Sequence, residues 1–219
     1  MLGLAMIFLR TVWRFICRTR PAVAPFIAVF LFVAAPGVLA AAKNDVKENV
    51  DWRSPDGKLA FRTSYGEDQR SIDLIDGKSS KKLQRIDETD MGQTYWDVLW
   101  APDSKRFALM TRIGHPVQGV DVFFQRGGAF QKIDLADNLP KAEIPEKLKQ
   151  GKDFPHVSAA NWETAERWKK DGSLVVSIAT WIDGAGTTLK ATRTVVVRFD
   201  RAGKAKVVKS TIKYETEND

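Results

Sequence analysis

Three stretches of the chain share one hydrophobic rhythm. Leu59, Phe61 and Thr63, then Phe107, Leu109 and Thr111, then Leu174, Val176 and Ile178 alternate with their neighbours, the period-two pattern of strands that bury one face. A second alternating stretch follows each, at Ile72 and Leu74, at Val120, Val122 and Phe124, and at Val195, Val197 and Phe199. A third is expected over Lys82 to Ile86, Phe130 to Leu135 and Lys204 to Ile212, because Asp76-Gly77, Gly127-Gly128 and Ala202-Gly203 supply turns ahead of them. With an aromatic strand before each first run, every unit is a four-stranded antiparallel meander, and the fold class is all-β.

The junction opening each unit is itself repeated: Trp52-Arg53-Ser54-Pro55-Asp56-Gly57-Lys58-Leu59-Ala60-Phe61, Trp100-Ala101-Pro102-Asp103-Ser104-Lys105-Arg106-Phe107-Ala108-Leu109, and Trp168-Lys169-Lys170-Asp171-Gly172-Ser173-Leu174-Val175-Val176. Pro55 and Pro102 preset φ at the second turn position, and Gly57 or Gly172 closes the turn without steric cost. These residues resemble the β-propeller repeats of the TolB type, whose blade signature is roughly Trp-Ser-Pro-Asp-Gly-Lys-x-Leu-Ala-Phe. The first unit matches closely, the second well, and the third without its proline. The resemblance implies propeller blades and leaves function open, because propellers host enzymes and binding platforms alike.

Closed propellers use 4–8 blades of about forty residues, whereas about 177 residues follow Ala42. The expectation is an incomplete or small propeller-like domain, with a β-sandwich as the alternative. Exposed blade faces need cover. The candidate is an insertion, Ala136 to Asn161, carrying Pro140, Pro145 and Pro155, with Ile144 to Gln150 able to form one or two helical turns ending at Gly151. Cover from the insertion, and so a monomer, is the expectation; cover from a second chain, giving a dimer, is the alternative.

The N-terminal segment differs in kind. Met1 to Ala42 holds four arginines (Arg10, Arg14, Arg18 and Arg20) and no acid; removing these four from 34 basic residues leaves 30 against 27 acidic ones. The uncharged run Pro21 to Ala42, with small residues at Val38-Leu39-Ala40 and Ala40-Ala41-Ala42, reads as a cleaved signal peptide, an uncleaved anchor being the alternative. The expected domains are thus a signal at 1–42 and a single β domain at 43–219. Cys17, the one cysteine, falls in the signal, so the mature chain has no thiol chemistry. A periplasmic or secreted location is expected.

Reactive constellations are scarce. His115 and His156 occupy loop contexts without metal-ligand spacing, and neither a Gly-x-Ser-x-Gly elbow nor a glycine-rich phosphate loop occurs. Asp87-Glu88-Thr89-Asp90 and Asp134 with Asp137 are acid clusters of the kind that serve glycoside hydrolysis when the fold sets their separation. Lysines and arginines are interspersed with acids, which argues against nucleic acid as a partner. No cofactor or metal is expected.

Aromatics are the surplus. Trp52, Trp100 and Trp168 belong to the repeat and are expected in the core. Tyr95, Trp96, His115 and Trp181 remain as candidate binding residues, Trp181 opening a hairpin whose tip is Gly184-Ala185-Gly186. The expected function is a non-enzymatic module that binds an envelope protein or polysaccharide through loops at one end of the domain, with no membrane span after signal cleavage. The alternatives are a glycan- or peptide-directed hydrolase using Asp87, Asp90 or Asp134, and an inhibitor of lysozyme-like enzymes.

Overall fold

The computed structural model describes residues 47–66, 69–90, 93–133, 135 and 139–218. The expected signal segment, together with Asp134 and Asp137, lies outside the described residues. The chain forms β1 (Lys47–Asp51), β2 (Leu59–Tyr65), β3 (Arg70–Asp76), β4 (Lys82–Thr89), β5 (Thr94–Trp100), β6 (Arg106–Ile113), β7 (Gln118–Arg126), β8 (Ala129–Ile133), a single-turn α1 (Glu146–Lys149), β9 (His156–Trp168), β10 (Leu174–Gly184), β11 (Thr187–Phe199) and β12 (Ala205–Asn218). These strands make three antiparallel four-stranded sheets, in the orders β1-β2-β3-β4, β5-β6-β7-β8 and β12-β11-β10-β9. Every sheet is therefore a meander, as the alternation requires.

The repeated junction folds alike in all three units, including the one without proline. Gly57 N–H donates to Ser54 O at 2.8 Å, Ser104 N–H to Ala101 O at 3.0 Å, and Gly172 N–H to Lys169 O at 3.0 Å. The donor residue sits at positive φ each time: 71° at Gly57, 57° at Ser104 and 79° at Gly172. Ser104 tolerates the conformation that glycine adopts freely, and its hydroxyl accepts the Asp56 N–H of the preceding unit at 3.1 Å. The tryptophans reach back in the same way. The Trp100 indole donates to Trp52 O at 2.7 Å and that of Trp168 to Leu99 O at 3.0 Å, tying each sheet to the one before it.

The second sheet is apolar on both faces, so it packs on both sides. Trp96, Val98, Phe107, Leu109 and Phe123 join Phe61, Ile72 and Leu74 of the first sheet in one cluster. Ala108, Met110, Val120 and Val122, which alternate with them, join Ala165, Trp168, Leu174, Val176, Ile178 and Val195 of the third. Phe107 is the pivot of the first cluster, stacked on Phe123 at 4.8 Å between centroids and edge-on to Phe61 at 5.0 Å. Such aromatic packing adds roughly 0.5–1.5 kcal/mol per pair beyond area burial.

The third sheet outgrows its neighbour: its strands run 11–14 residues against 5–9 in the second. The insertion packs on the excess. Ala142 is buried in the cluster with Ala191, and Leu139 and Ile144 pack against it. Ala142 N–H donates to the Asn161 carboxamide oxygen at 3.0 Å, and the Arg193 guanidinium donates to Lys141 O at 2.8 Å. Gly184 admits the end of the segment, since a Cβ there would meet Asp153 O at 2.6 Å. The helical turn is one turn long and ends at Gln150 and Gly151, both at positive φ. β9 begins at His156 within this segment, and His156, Val157 and Ala159 pair with β10.

Candidate functional site

Antiparallel register brings the β2–β3, β6–β7 and β10–β11 connections to one end of the sheets. Tyr65 pairs with Arg70, Tyr95 with Arg112, and His156 with Asp183 there. Strands expose their side chains where neighbours stop covering them, and this end collects the spare aromatics.

Tyr95 is 47% exposed at the start of β5. The Arg112 guanidinium lies 4.7 Å from its ring centroid, and that of Arg70 lies 5.7 Å from it and 5.1 Å from the Tyr65 ring. Arg70 also donates to Thr94 O at 3.1 Å. Two rings and two guanidiniums thus form a ladder from the first sheet to the second, each contact contributing about 0.5–1 kcal/mol at an exposed site. His115 is exposed in the β6–β7 connection and stacks on Trp162 at 5.8 Å. Trp181, 38% exposed, lines an open groove with His115, Pro116, Val157 and Ser158. The Lys190 ammonium sits 5.4 Å from the Trp181 ring and pairs with Glu217 at 2.6 Å. Hydroxyls of Ser158 and Thr188 bond Asp183 and hold its carboxyl below the usual aspartate range.

Of the four candidate residues, three are exposed at this end, whereas Trp96 is buried at the wall of a groove that it shares with Tyr95 and Arg112. Trp96 is 5% exposed, packs between the first two sheets, and donates its indole N–H to Asp87 at 2.9 Å. Its parity explains this, because it shares a strand face with Trp100. Arg70, Arg112 and Tyr65 were not anticipated. The turn after Trp100 places Arg112 directly across from Tyr95, so that pairing was implicit in the hairpin register.

The acids divide. Asp87 lines a groove of about 450 Å³ with Asp121 and Glu163. Asp121 is paired with Lys132 at 2.8 Å. Glu163 accepts the Val120 N–H at 2.9 Å, on the stretch of β7 that β8 leaves unpaired. Burial raises the Glu163 carboxyl above the ordinary glutamate value; the Val120 hydrogen bond opposes the rise, and Asp121 reinforces it. Among the described residues no cluster of three or more His, Cys, Asp or Glu side chains is arranged to hold a metal ion.

The fold and site define an all-β protein of three four-stranded meanders with an aromatic and cationic strand-end surface. No family model, curated protein or solved structure matches the chain.

Proposed function

We propose that this chain is an exported, non-enzymatic interaction module with TolB-like propeller blades, binding an envelope protein or polymer through its strand-end surface. The observation that carries the reading is the gathering of Tyr95 of β5, His115 of the β6–β7 connection and Trp181 of β10 at one end of the sheets. Exposed aromatics with a polar rim are the usual anchors of recognition, offering contact area at small entropic cost. The location rests on the charged, apolar and small-residue order of the first 42 residues.

The test is retention of material from an envelope extract by the full chain, with sugar and peptide analysis of what is eluted. A component held by the unmodified protein and released by Trp181→Ala with Tyr95→Ala supports the module; retention that ignores both substitutions overturns it.

One observation favours a hydrolase as a second reading: Glu163, with its raised carboxyl, shares a groove with Asp87 and Asp121. A carboxyl raised by burial beside further carboxyl groups is the kind of pairing from which glycoside cleavage is built. Reducing-end release from envelope glycans that Glu163→Gln abolishes would establish it, and absence of release would dismiss it.

A further inference from the structure

We infer that the Arg112–Tyr95–Arg70–Tyr65 ladder is an oxyanion subsite for an anionic polysaccharide segment lying across the strand ends, which rests on the module reading above. Arg112 carries the argument. Its guanidinium stacks over Tyr95, yet no hydrogen bond or carboxylate partner meets it among the described residues. Arg62, Arg85, Arg106 and Arg198 pair with acids, whereas Arg112 shares its groove with Asp97 without forming an ion pair with it. Stacking against the tyrosine limits the rotamers of Arg112 and leaves the edge of its planar fork for an acceptor. Arg70 is held between two rings and by Thr94 O, which fixes a second cation on the neighbouring sheet.

A planar fork matches a carboxylate or a phosphate, each with two oxygens in reach of parallel N–H donors. The shape of the surface favours a chain over a small ion. Packed sheets lie about 10 Å apart, so Arg112 on the second sheet and Trp181 on the third are separated by roughly 10 Å. That distance suits an extended polymer that places an anionic group at Arg112 and a sugar ring on Trp181.

The test measures binding of the full chain to three probes by calorimetry: hexuronate oligomers for the carboxylate, a glycerol-phosphate polymer for the phosphate, and a neutral glucan of equal length. Thermal unfolding of each variant checks that it is folded. Binding to either anionic probe but not the neutral one is expected, weakened about 10-fold or more in Arg112→Gln, as loss of hydrogen bonds to a charged group implies. Arg112→Lys, which keeps the charge without the fork, should recover only part of it. The anionic arm that binds identifies the source of the oxyanion. Equal affinity of wild type and Arg112→Gln overturns the inference, as does binding confined to an acidic peptide such as polyglutamate. If an envelope component is still retained in a Trp181-dependent way while Arg112→Gln changes nothing, the subsite fails and the module stands. If the unmodified chain retains no component and binds no probe, both fail.

Discussion

Single residues tie the sheets together both by side-chain packing and by hydrogen bonds to the backbone of the neighbouring sheet. Trp100 and Trp168 each pack a large ring between sheets and also satisfy a carbonyl of the preceding unit, so size and polarity contribute separately. Trp100→Ala is expected to lower unfolding free energy by about 3–5 kcal/mol, as large aromatic deletions do, because Phe61, Phe107 and Phe130 lose a ring partner. Trp100→Phe retains much of the ring contact and should cost nearer 1 kcal/mol for the Trp52 hydrogen bond. Denaturant titration that finds Trp181→Ala as costly as Trp100→Ala would contradict this assignment of the core. Ser104 separates conformational from hydrogen-bonding effects. Ser104→Ala loses the Asp56 contact and keeps the positive φ, so it should destabilise by roughly 1 kcal/mol. Ser104→Gly loses the same contact but relieves the backbone, and should lie within about 0.5 kcal/mol of wild type.

Glu163 adds a pH dependence at this same scale. Its folded-state carboxyl lies above the ordinary glutamate value, so the folded protein holds that proton more tightly than the unfolded chain. The resulting stabilisation is present below the unfolded value and is lost as pH rises through the folded one. Glu163→Gln removes the titration, so the variant's melting temperature should gain on wild type as pH increases through that window. A difference between the two that stays flat from about pH 4 to about pH 8 would contradict the burial-driven shift.

Elements obey the alternation, and where they depart from expectation a tertiary contact explains it. The meander order, the three turns and the single helical turn were all legible, since each rests on local geometry that proline, glycine and period two determine. The length of the third sheet was not. Apolar periodicity runs through Val195 and Val197, but β12 continues to Asn218 through Lys213, Glu215 and Glu217, polar residues whose strand comes from pairing with β11. Likewise the insertion's register depends on Asn161, which interrupts the β9–β10 pairing at positive φ and turns its carboxamide to Ala142. Ala142→Asp should therefore cost about 3 kcal/mol or more by placing a charge against Ala191 without a partner. Lys147→Asp, on the exposed side of α1, should change stability by less than about 0.5 kcal/mol. Chemical unfolding of the two variants distinguishes a packed cover from a loose loop, which would tolerate both.

At the scale of the whole molecule, three sheets stand side by side with two clusters between them, and their strand ends form one surface. Tyr95 and Trp181 were visible in the sequence as aromatics that the repeat did not use. Trp96 looked equivalent to Tyr95, yet its even spacing, two residues from Val98 and four from Trp100, places it on the buried face. The arginines were hidden for a different reason. Arg70 and Arg112 look like charges guarding strand ends, and only the packing of the first sheet against the second sets both on one tyrosine ring. The claim that joins these observations is that this surface is where the protein binds. Quantitative capture from an envelope extract tests it most directly, comparing the full chain with a Tyr95→Ala, Trp181→Ala variant whose melting temperature is unchanged. The account predicts one defined component enriched by the unmodified protein and reduced about 10-fold or more by the variant, the effect of losing two anchor side chains. Enrichment of the same component to the same extent by both proteins would contradict it.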